Sequence, residues 1–336
     1  MINIKELARL ANVSKSTVSK ALNNRPDIGE ETKQKILKIA REHNFTPNAI
    51  AKGLSTSVTE NIGIIFRREE RSLSGNPFYS RVLEGIEEAA LTTDYNLLLH
   101  LVPDTYEDLP DIVRKRQVDG LLLIGTHNPA FVECIRNAAI PMVAVDPGDI
   151  VEGCHHVLID NEKGAYLAAQ YLIKCGHRRI GFIGGELKRR SFQLRLDGYK
   201  RALTENGIPI REELIECGKM EEGPFMAKNL MRLPEIPTAI FASHDIKAIQ
   251  ACKVINEMGL NVPKDVSVIG FDNIDLSLMV TPNISTIHVR KKKLGSIALQ
   301  MLQEIMSGKV RAPLDSLVPV KLIERDSVRR IEARSV

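Results

Sequence analysis

A chain of 336 residues, 43% hydrophobic and 26% charged, is long enough for two or three globular domains with a sizeable core. No apolar run approaches the roughly 18 residues needed to cross a bilayer, and MINIKELARL lacks the charged, apolar and small-residue order of a secretory leader, so a membrane span is excluded and the cytoplasm is expected. The net charge of +4 is unevenly placed: residues 1–58 carry ten Lys/Arg against five Asp/Glu, while the rest is balanced to within one charge, which marks the first segment as a small module that meets a polyanion.

Asn3 with Glu6 forms a capping-box pattern, after which Ile4, Leu7, Ala8 and Ala11 recur at helical spacing; the helix ends near Asn12, a residue that tolerates a left-handed turn. Ser14 then caps a second helix with Val18, Ala21 and Leu22 inward and Lys15, Ser16, Ser19 and Lys20 outward. A third helix is predicted from about Glu30 to His43, presenting Ile36, Leu37, Ile39 and Ala40, with Gly29 as a weak cap. Two short helices on a tight turn followed by a longer one is the helix-turn-helix plan, whose second helix enters the major groove of DNA. A trihelical core with an ordinary polar surface would show the same apolar pattern. The basic surplus and the small hydroxyl and Lys donors, which suit phosphates and base edges, favour DNA.

The next segment, 46-TPNAIAKGLSTS-57, has Pro47 where a helix can begin and Ala49, Ile50 and Leu54 on a narrow apolar stripe. It is short, and Gly53 costs about 1 kcal/mol relative to Ala, so in isolation it is expected to be an unfolded linker. From Asn61 the pattern becomes short apolar strands alternating with helical stretches: IGIIF, NLLLHL, GLLLIG and PMVAVD, then RRIGFIGG, TAIFAS and DVSVIGFD, with a final helix over about Lys291 to Ser307. Such strands indicate parallel sheets covered on both faces, here as two α/β lobes with a boundary near Asp160. Ligands bind such sheets beyond the carboxyl ends of the strands, so two facing lobes make a cleft. Asp146 ends PMVAVD, Arg195 begins RLDGY, His244 follows TAIFAS and Asp272 ends DVSVIGFD. Carboxylates accept from sugar hydroxyls and Arg donates to ring or hydroxyl oxygens, a set suited to a polyol. The run 188-KRR-190 after GGE would draw an anionic effector such as a phosphorylated sugar or uronic acid; a solvated loop is the plainer reading.

Enzyme readings find little support. There is no phosphate-binding Gly-x-x-x-x-Gly-Lys-Ser/Thr loop, and Gly184-Gly185 alone is too weak a nucleotide signal. Cys154, His155 and His156 are adjacent, but neighbouring side chains point apart and no second ligand pair accompanies them, so no metal and no cofactor are expected. The five cysteines are far apart and read as reduced thiols.

The strings IKELARLANVSKSTVSKALNN, PNAIAKGLS and NPFYSRVLEGIE, continued by IDNEKGAYLAAQYLI, GHRRIGFIGG, RLDGY, PTAIFASHD and DVSVIGFDN, resemble the bacterial lac repressor (LacI/GalR) family over essentially the whole chain. The resemblance implies an N-terminal all-α helix-turn-helix domain (1–45), a hinge helix or linker (46–58) and a periplasmic-binding-protein-like α/β core (59–336) of two doubly wound lobes. The N-lobe would hold about 59–159 plus 290–320, and the C-lobe about 160–289 plus 321–336. It implies operator contacts at Lys15, Ser16, Thr17, Lys20 and Asn23, with Leu54 as a wedge in the minor groove once the hinge folds on DNA. Lys20 stands where Arg is more usual, which leaves its base preference open. Effector contacts are implied at Phe78, Asp146, Arg195, His244 and Asp272. Two positions depart from the family pattern: Met220 replaces an aromatic ring on which a ligand would stack, and His244 replaces Asn or Asp with a group expected to titrate near neutrality. The chain stops at RRIEARSV without leucine heptads, so a homodimer on double-stranded operator DNA is expected. The functional expectation is a non-enzymatic repressor of carbohydrate-utilisation genes controlled by a sugar or sugar derivative. A purine-, nucleoside- or phosphorylated-metabolite-responsive regulator is the alternative, and a solute-binding protein is a more distant one.

Overall fold

The computed structural model describes residues 2–22, 25, 27–45, 58–68, 76–103 and 105–331, and it divides into two compact units at Glu60/Asn61. The predicted hinge segment, 46–57, lies outside the described residues, as do Asn23 and Leu54.

The first unit contains α1 (Ile4–Ala11), α2 (Lys15–Leu22) and α3 (Glu30–Glu42). Asn3 Oδ1 accepts from the backbone N–H of Lys5 (2.9 Å) and Glu6 (3.1 Å), and Glu6 Oε2 accepts from Asn3 N–H (3.2 Å), so the capping box is closed in both directions. Asn12 ends α1 in the left-handed conformation at φ 56°, and Ser14 Oγ caps α2 by accepting from Thr17 N–H at 3.0 Å. Leu7, Ala8, Ala11, Val18, Ala21, Ile36 and Ala40 form the core, with Leu22 and Ile39 packed at its edge. Leu37, about 100° round the helix from Ile36, is half-buried and outside this cluster, a departure from its predicted inward position.

The second unit carries two six-stranded sheets. The first contains β1 (Asn61–Arg68), β2 (Asn96–Pro103), β3 (Gly120–Ile124), β4 (Met142–Val145), β5 (His155–Ile159) and β11 (Asp315–Val318), all parallel, in the order β11-β5-β4-β3-β1-β2. The second contains β6 (Ile180–Gly184), β7 (Ile215–Cys217), β8 (Ala239–Ala242), β9 (Ser267–Asp272), β10 (Ser285–His288) and β12 (Lys321–Ile323), in the order β12-β10-β9-β8-β6-β7, with only the β10/β12 pair antiparallel. Residues of β3, β4, β6, β8 and β9 are buried without alternation, as strands covered on both faces must be. The chain passes between sheets after β5, after β10 and between β11 and β12.

Helices α4 (Tyr79–Ala90), α5 (Asp111–Arg114) and α6 (Pro129–Asn137) belong to the first lobe. Helices α7 (Asn161–Lys174), α8 (Arg190–Glu205), α9 (Gly223–Met231) and α10 (Asp245–Glu257) belong to the second. The last helix, α11 (Lys291–Met306), follows a strand of the second sheet yet packs on α4 and the first sheet. Two glycines make that crossing possible: a Cβ on Gly85 would stand 2.0 Å from Lys292 O, and one on Gly295 would stand 2.1 Å from Val82 O. Either added methyl group would force the two backbones apart.

Candidate functional site

On α2 the side chains of Lys15, Ser16 and Lys20 are exposed and Thr17 is half-buried, opposite the buried Val18 and Ala21. The Thr17 hydroxyl lies 2.8 Å from Ser14 Oγ, so it is engaged with its own helix cap. Lys20 Nζ stands 2.6 Å from Asp27 Oδ2, and this hydrogen bond holds the Asp27 carboxyl below the ordinary carboxylate range. Both partners are exposed, where such a pair is weak and readily exchanged for a phosphate or a base.

The second constellation lies beyond the strand ends of the two sheets. Asp146 follows β4 and Asp272 closes β9, both at positive φ (49° and 106°), a conformation that costs a non-glycine residue about 1–3 kcal/mol and persists where its surroundings hold it. At Asp272 the holding group is Lys291, whose Nζ donates to the carbonyls of Asp272 (2.5 Å) and Asn273 (2.9 Å). Arg195 sits in the second turn of α8 rather than at a strand end, and it is 4% exposed. Its Nε donates to Asn161 Oδ1 at 2.8 Å, Nη1 donates to the Ser243 carbonyl and stands 3.4 Å from Asp272 Oδ1, and the guanidinium lies 3.7 Å from the centre of the Phe271 ring. The ion pair with Asp272 is therefore real, but it leaves Asp272 Oδ1 without an aligned hydrogen bond among the described residues. The buried Ser243 Oγ is likewise unpartnered among them. Buried polar atoms are normally bonded, so these two are open to a further hydrogen-bond partner.

Asp146 faces this group from the first lobe. The Tyr79 hydroxyl donates to its Oδ2 at 3.3 Å, and its carboxyl is pushed up to about 6, chiefly by burial, with Arg195 opposing and Asp272 adding to the rise. Burial raises the Asp272 carboxyl as well, against the pull of Arg195 and Lys291. Phe78 precedes α4 half-buried, its ring edge-on to Tyr79 at 5.2 Å; Tyr79, not Phe78, reaches Asp146. His244 corrects an expectation. It caps α10, its Nδ1 accepting from Lys247 N–H at 3.2 Å, and burial together with Lys247, Arg195 and Arg189 drives its pKa well below 6.5. It is a neutral ring with its proton on Nε2, not a group that titrates near neutrality.

Sequence reasoning missed several supporting groups. Asn161 orients Arg195, and Asp245 accepts from Thr286 Oγ1 (2.5 Å) and Ile274 N–H (2.8 Å) while burial lifts its carboxyl to about 7. The fully buried Lys247 donates to the carbonyls of Gly184 and Gly218 (2.9 Å to the latter), and burial brings its pKa down to about 8. Each lies far in sequence from what it supports, and no local motif marks it. Phe192 was also missed. Its ring lies 5.6 Å from the Arg195 guanidinium and 5.9 Å from His244, so an aromatic face borders the cluster although Met220, in the loop after β7, offers none. Gly185 has a packing reason here: a Cβ on it would stand 2.2 Å from that ring.

The run 188–190 divides by residue. Lys188 is exposed and pairs with Glu186 at 3.2 Å; Arg189 is half-buried and its charge acts on both Asp146 and His244; Arg190 N–H donates to Gly148 O at 3.0 Å, joining the lobes across the cleft. Arg81 of α4 makes a second crossing to Asp275. His155 and His156 serve structure: His155 Nδ1 accepts from Leu314 N–H (3.2 Å), while His156 bonds Asp315 Oδ1 (2.7 Å) and Val151 N–H (3.2 Å). Among the described residues no group of three His, Cys, Asp or Glu is placed to hold a metal, and no helix is long and apolar enough to cross a membrane.

Comparison with known proteins matches residues 3–48 to the bacterial regulatory proteins of the lacI family and residues 169–328 to a periplasmic binding protein-like domain. The chain is 36% identical to the probable HTH-type transcriptional repressor ExuR of Bacillus subtilis (strain 168), over 98% of this chain and 99% of that protein. It is also 36% identical to the HTH-type transcriptional repressor PurR of Yersinia pestis (strain Pestoides F), over 98% and 97%. Among solved structures, the transcriptional regulator CelR in complex with cellobiose is similar with a TM-score of 0.73 and 25% identity, over 97% of this chain and 100% of that one. The lac repressor dimer bound to operator and an anti-inducer shares the fold with a TM-score of 0.82 at 24% identity, over 98% and 99%.

Proposed function

The chain belongs to the lacI family of bacterial regulatory proteins and is a transcriptional repressor, and we propose that a small polyhydroxylated effector bound between its lobes sets its affinity for operator DNA. The observation that carries this reading is the buried Arg195–Asp272 pair, facing Asp146 across the cleft, with Asp272 Oδ1 and Ser243 Oγ left to bond a guest. Carboxylates that accept from hydroxyls, beside a guanidinium locked by Asn161, form a site for a sugar or sugar derivative. The cellobiose complex of the similar CelR supports the same class.

In this proposal residues 1–45 read the operator through Lys15, Ser16, Thr17, Lys20 and Asn23. Residues 46–58 form the hinge, with Leu54 as the minor-groove wedge, and 59–336 form the core that takes the effector at Asp146, Arg195, His244 and Asp272, with Phe78 at its edge. The N-lobe takes 59–159 and 290–320, and the C-lobe the remainder. A homodimer suits a near-palindromic operator, since a two-fold axis presents two copies of α2 to successive major grooves. Effector binding changes the lobe arrangement, which alters the separation of the two hinges and hence the operator affinity.

A purine effector is the second reading, favoured by relatives named PurR and by the Phe192 ring beside Arg195. A gel-shift titration in low salt, repeated with sugars and with hypoxanthine, tests both. Sequence-selective binding modulated by a sugar is expected; modulation by the purine alone transfers the site to the second reading, and absence of selective DNA binding removes the proposal.

A further inference from the structure

The two outward lysines of α2 stand in different surroundings. Lys15 opens the helix and makes no ion pair among the described residues, while Lys20, in the last turn, has its Nζ 2.6 Å from Asp27 Oδ2. The backbone sets up that contact. After α2 the chain turns back over the helix end, Arg25 N–H donating to Lys20 O at 3.0 Å, and Asp27 follows before α3 begins. The other charges of the turn do not compete for either partner. Glu30 accepts from Gln34 Nε2 (2.7 Å) and Lys33 Nζ (3.5 Å) of its own helix, and Arg25 and Glu31, both exposed, make no ion pair among the described residues. With side chains 46% and 56% exposed, Lys20 and Asp27 are joined to each other yet accessible from solvent.

A carboxylate in that place acts unequally on the two kinds of contact a lysine makes with DNA. A phosphate takes the ammonium as a whole charge, so Lys20 would have to leave Asp27 and set a bare carboxylate beside the polyanion. A base edge takes hydrogen bonds. An ammonium has three protons; with one held by Asp27, two remain for the paired acceptors of a guanine, O6 and N7, and the ion pair survives the contact. Lys15 carries no such restraint and is suited to a phosphate.

We propose that Asp27 is a specificity-determining residue of the DNA-binding unit: its carboxylate keeps Lys20 from sequence-blind phosphate contact and holds it for a base. The inference rests on the reading of Lys20 as an operator contact. A double-mutant cycle on the full-length protein tests it, with wild type, Asp27→Asn, Lys20→Ala and the double variant. Each is titrated against the duplex that wild type selects from a random library and against a shuffled duplex of the same composition, across about 50–200 mM salt. Asp27→Asn is expected to bind the shuffled duplex about three- to tenfold more tightly and the selected duplex with little gain. It should also steepen the slope of log K against log salt on the shuffled duplex by about 1 for each protomer, as one more phosphate contact requires. Asp27→Glu, which keeps the charge, should hold the wild-type values. In the Lys20→Ala background most of both effects should vanish, because the released lysine is gone, whereas a general relief of repulsion would persist there. A gain on the shuffled duplex equal in both backgrounds, an equal gain on both duplexes, or no gain at all overturns the inference. If Lys20→Ala weakens both duplexes alike, the base-reading role of Lys20 falls with it. If Lys20→Ala relaxes one base position and Asp27→Asn changes nothing, Lys20 keeps its role and that of Asp27 alone falls.

Discussion

The helix proposed to read DNA and the cleft proposed to take the effector are built in opposite ways. On α2 the outward residues Lys15, Ser16 and Lys20 stand on an element whose other face, Val18 and Ala21, makes the core, so each side chain proposed to contact DNA is exposed and replaceable one at a time. In the cleft the side chains proposed to bind the effector are themselves interior: Arg195, His244 and Asp272 are each at least nine-tenths buried and hold one another's surroundings in place. A surface reader can diverge residue by residue without unfolding its domain. A buried receptor cannot, because removing one charge strands another.

The sharpest way to break that contrast is Arg195→Ala. It takes the ion partner from Asp272 and the donor from Asn161 Oδ1 and the Ser243 carbonyl, so urea unfolding of the core should lose about 3–5 kcal/mol together with effector response, while DNA binding without effector persists. A loss below about 1 kcal/mol would show that the cleft tolerates stranded charge as the surface does. Ile36→Ala is the matching test in the first unit, where Ile36 is fully buried. It should cost that module about 2–4 kcal/mol and DNA binding with it, leaving the unfolding transition of the core unchanged.

Acid titration sharpens the comparison next. Asp146 and Asp245 have folded pKa values near 6 and 7 against 3.8 for the free group, so the folded chain keeps protons the unfolded chain releases. That contribution is complete below about pH 4 and is lost as pH rises through 6–7. His244 and His177, the latter lowered to about 4, act the other way: their contribution is present above pH 6.5 and is lost as pH falls toward their folded values. Asp146→Asn should therefore gain about 2 kcal/mol on the native chain between pH 4 and pH 7.5, read from urea midpoints at several pH values. A constant difference would show that the carboxyl is not desolvated in the folded chain.

Smaller effects belong to the DNA-binding unit. Lys20→Ala should reduce discrimination at one base position about tenfold in a binding-site selection, with the fold intact, whereas loss of binding to every sequence alike would make Lys20 a phosphate contact. Asn3→Ala opens the capping box of α1 and should cost about 1 kcal/mol in the stability of the small unit.

How much of this was legible in the sequence follows from the same contrast. The three N-terminal helices, their caps and the outward set on α2 were readable because i, i+3 and i, i+4 periodicity and cap residues are local signals. Seven of the strands could be placed from their continuous apolar runs. β7, β11 and β12 are short, and β5 begins with two histidines whose rings bond the chain near Leu314 and Asp315, some 159 positions away. At the cleft, Asp146 and Asp272 announced themselves by ending strands. Phe192, Asn161, Asp245, Lys247 and Lys291 did not, because nothing local distinguishes them from helix residues elsewhere.

By itself, then, the sequence determined the N-terminal helices, seven of the strands and their order, the basic surplus at the front and the family to which the whole belongs, all of which rest on short-range pattern. Only the tertiary structure decided the protonation of the cleft. The same imidazole that would titrate in solution is a neutral cap at His244, and the same carboxyl that would be ionised at pH 5 keeps its proton there at Asp146. Ionisation depends on desolvation and on charges brought together across two sheets, and a one-dimensional string carries neither.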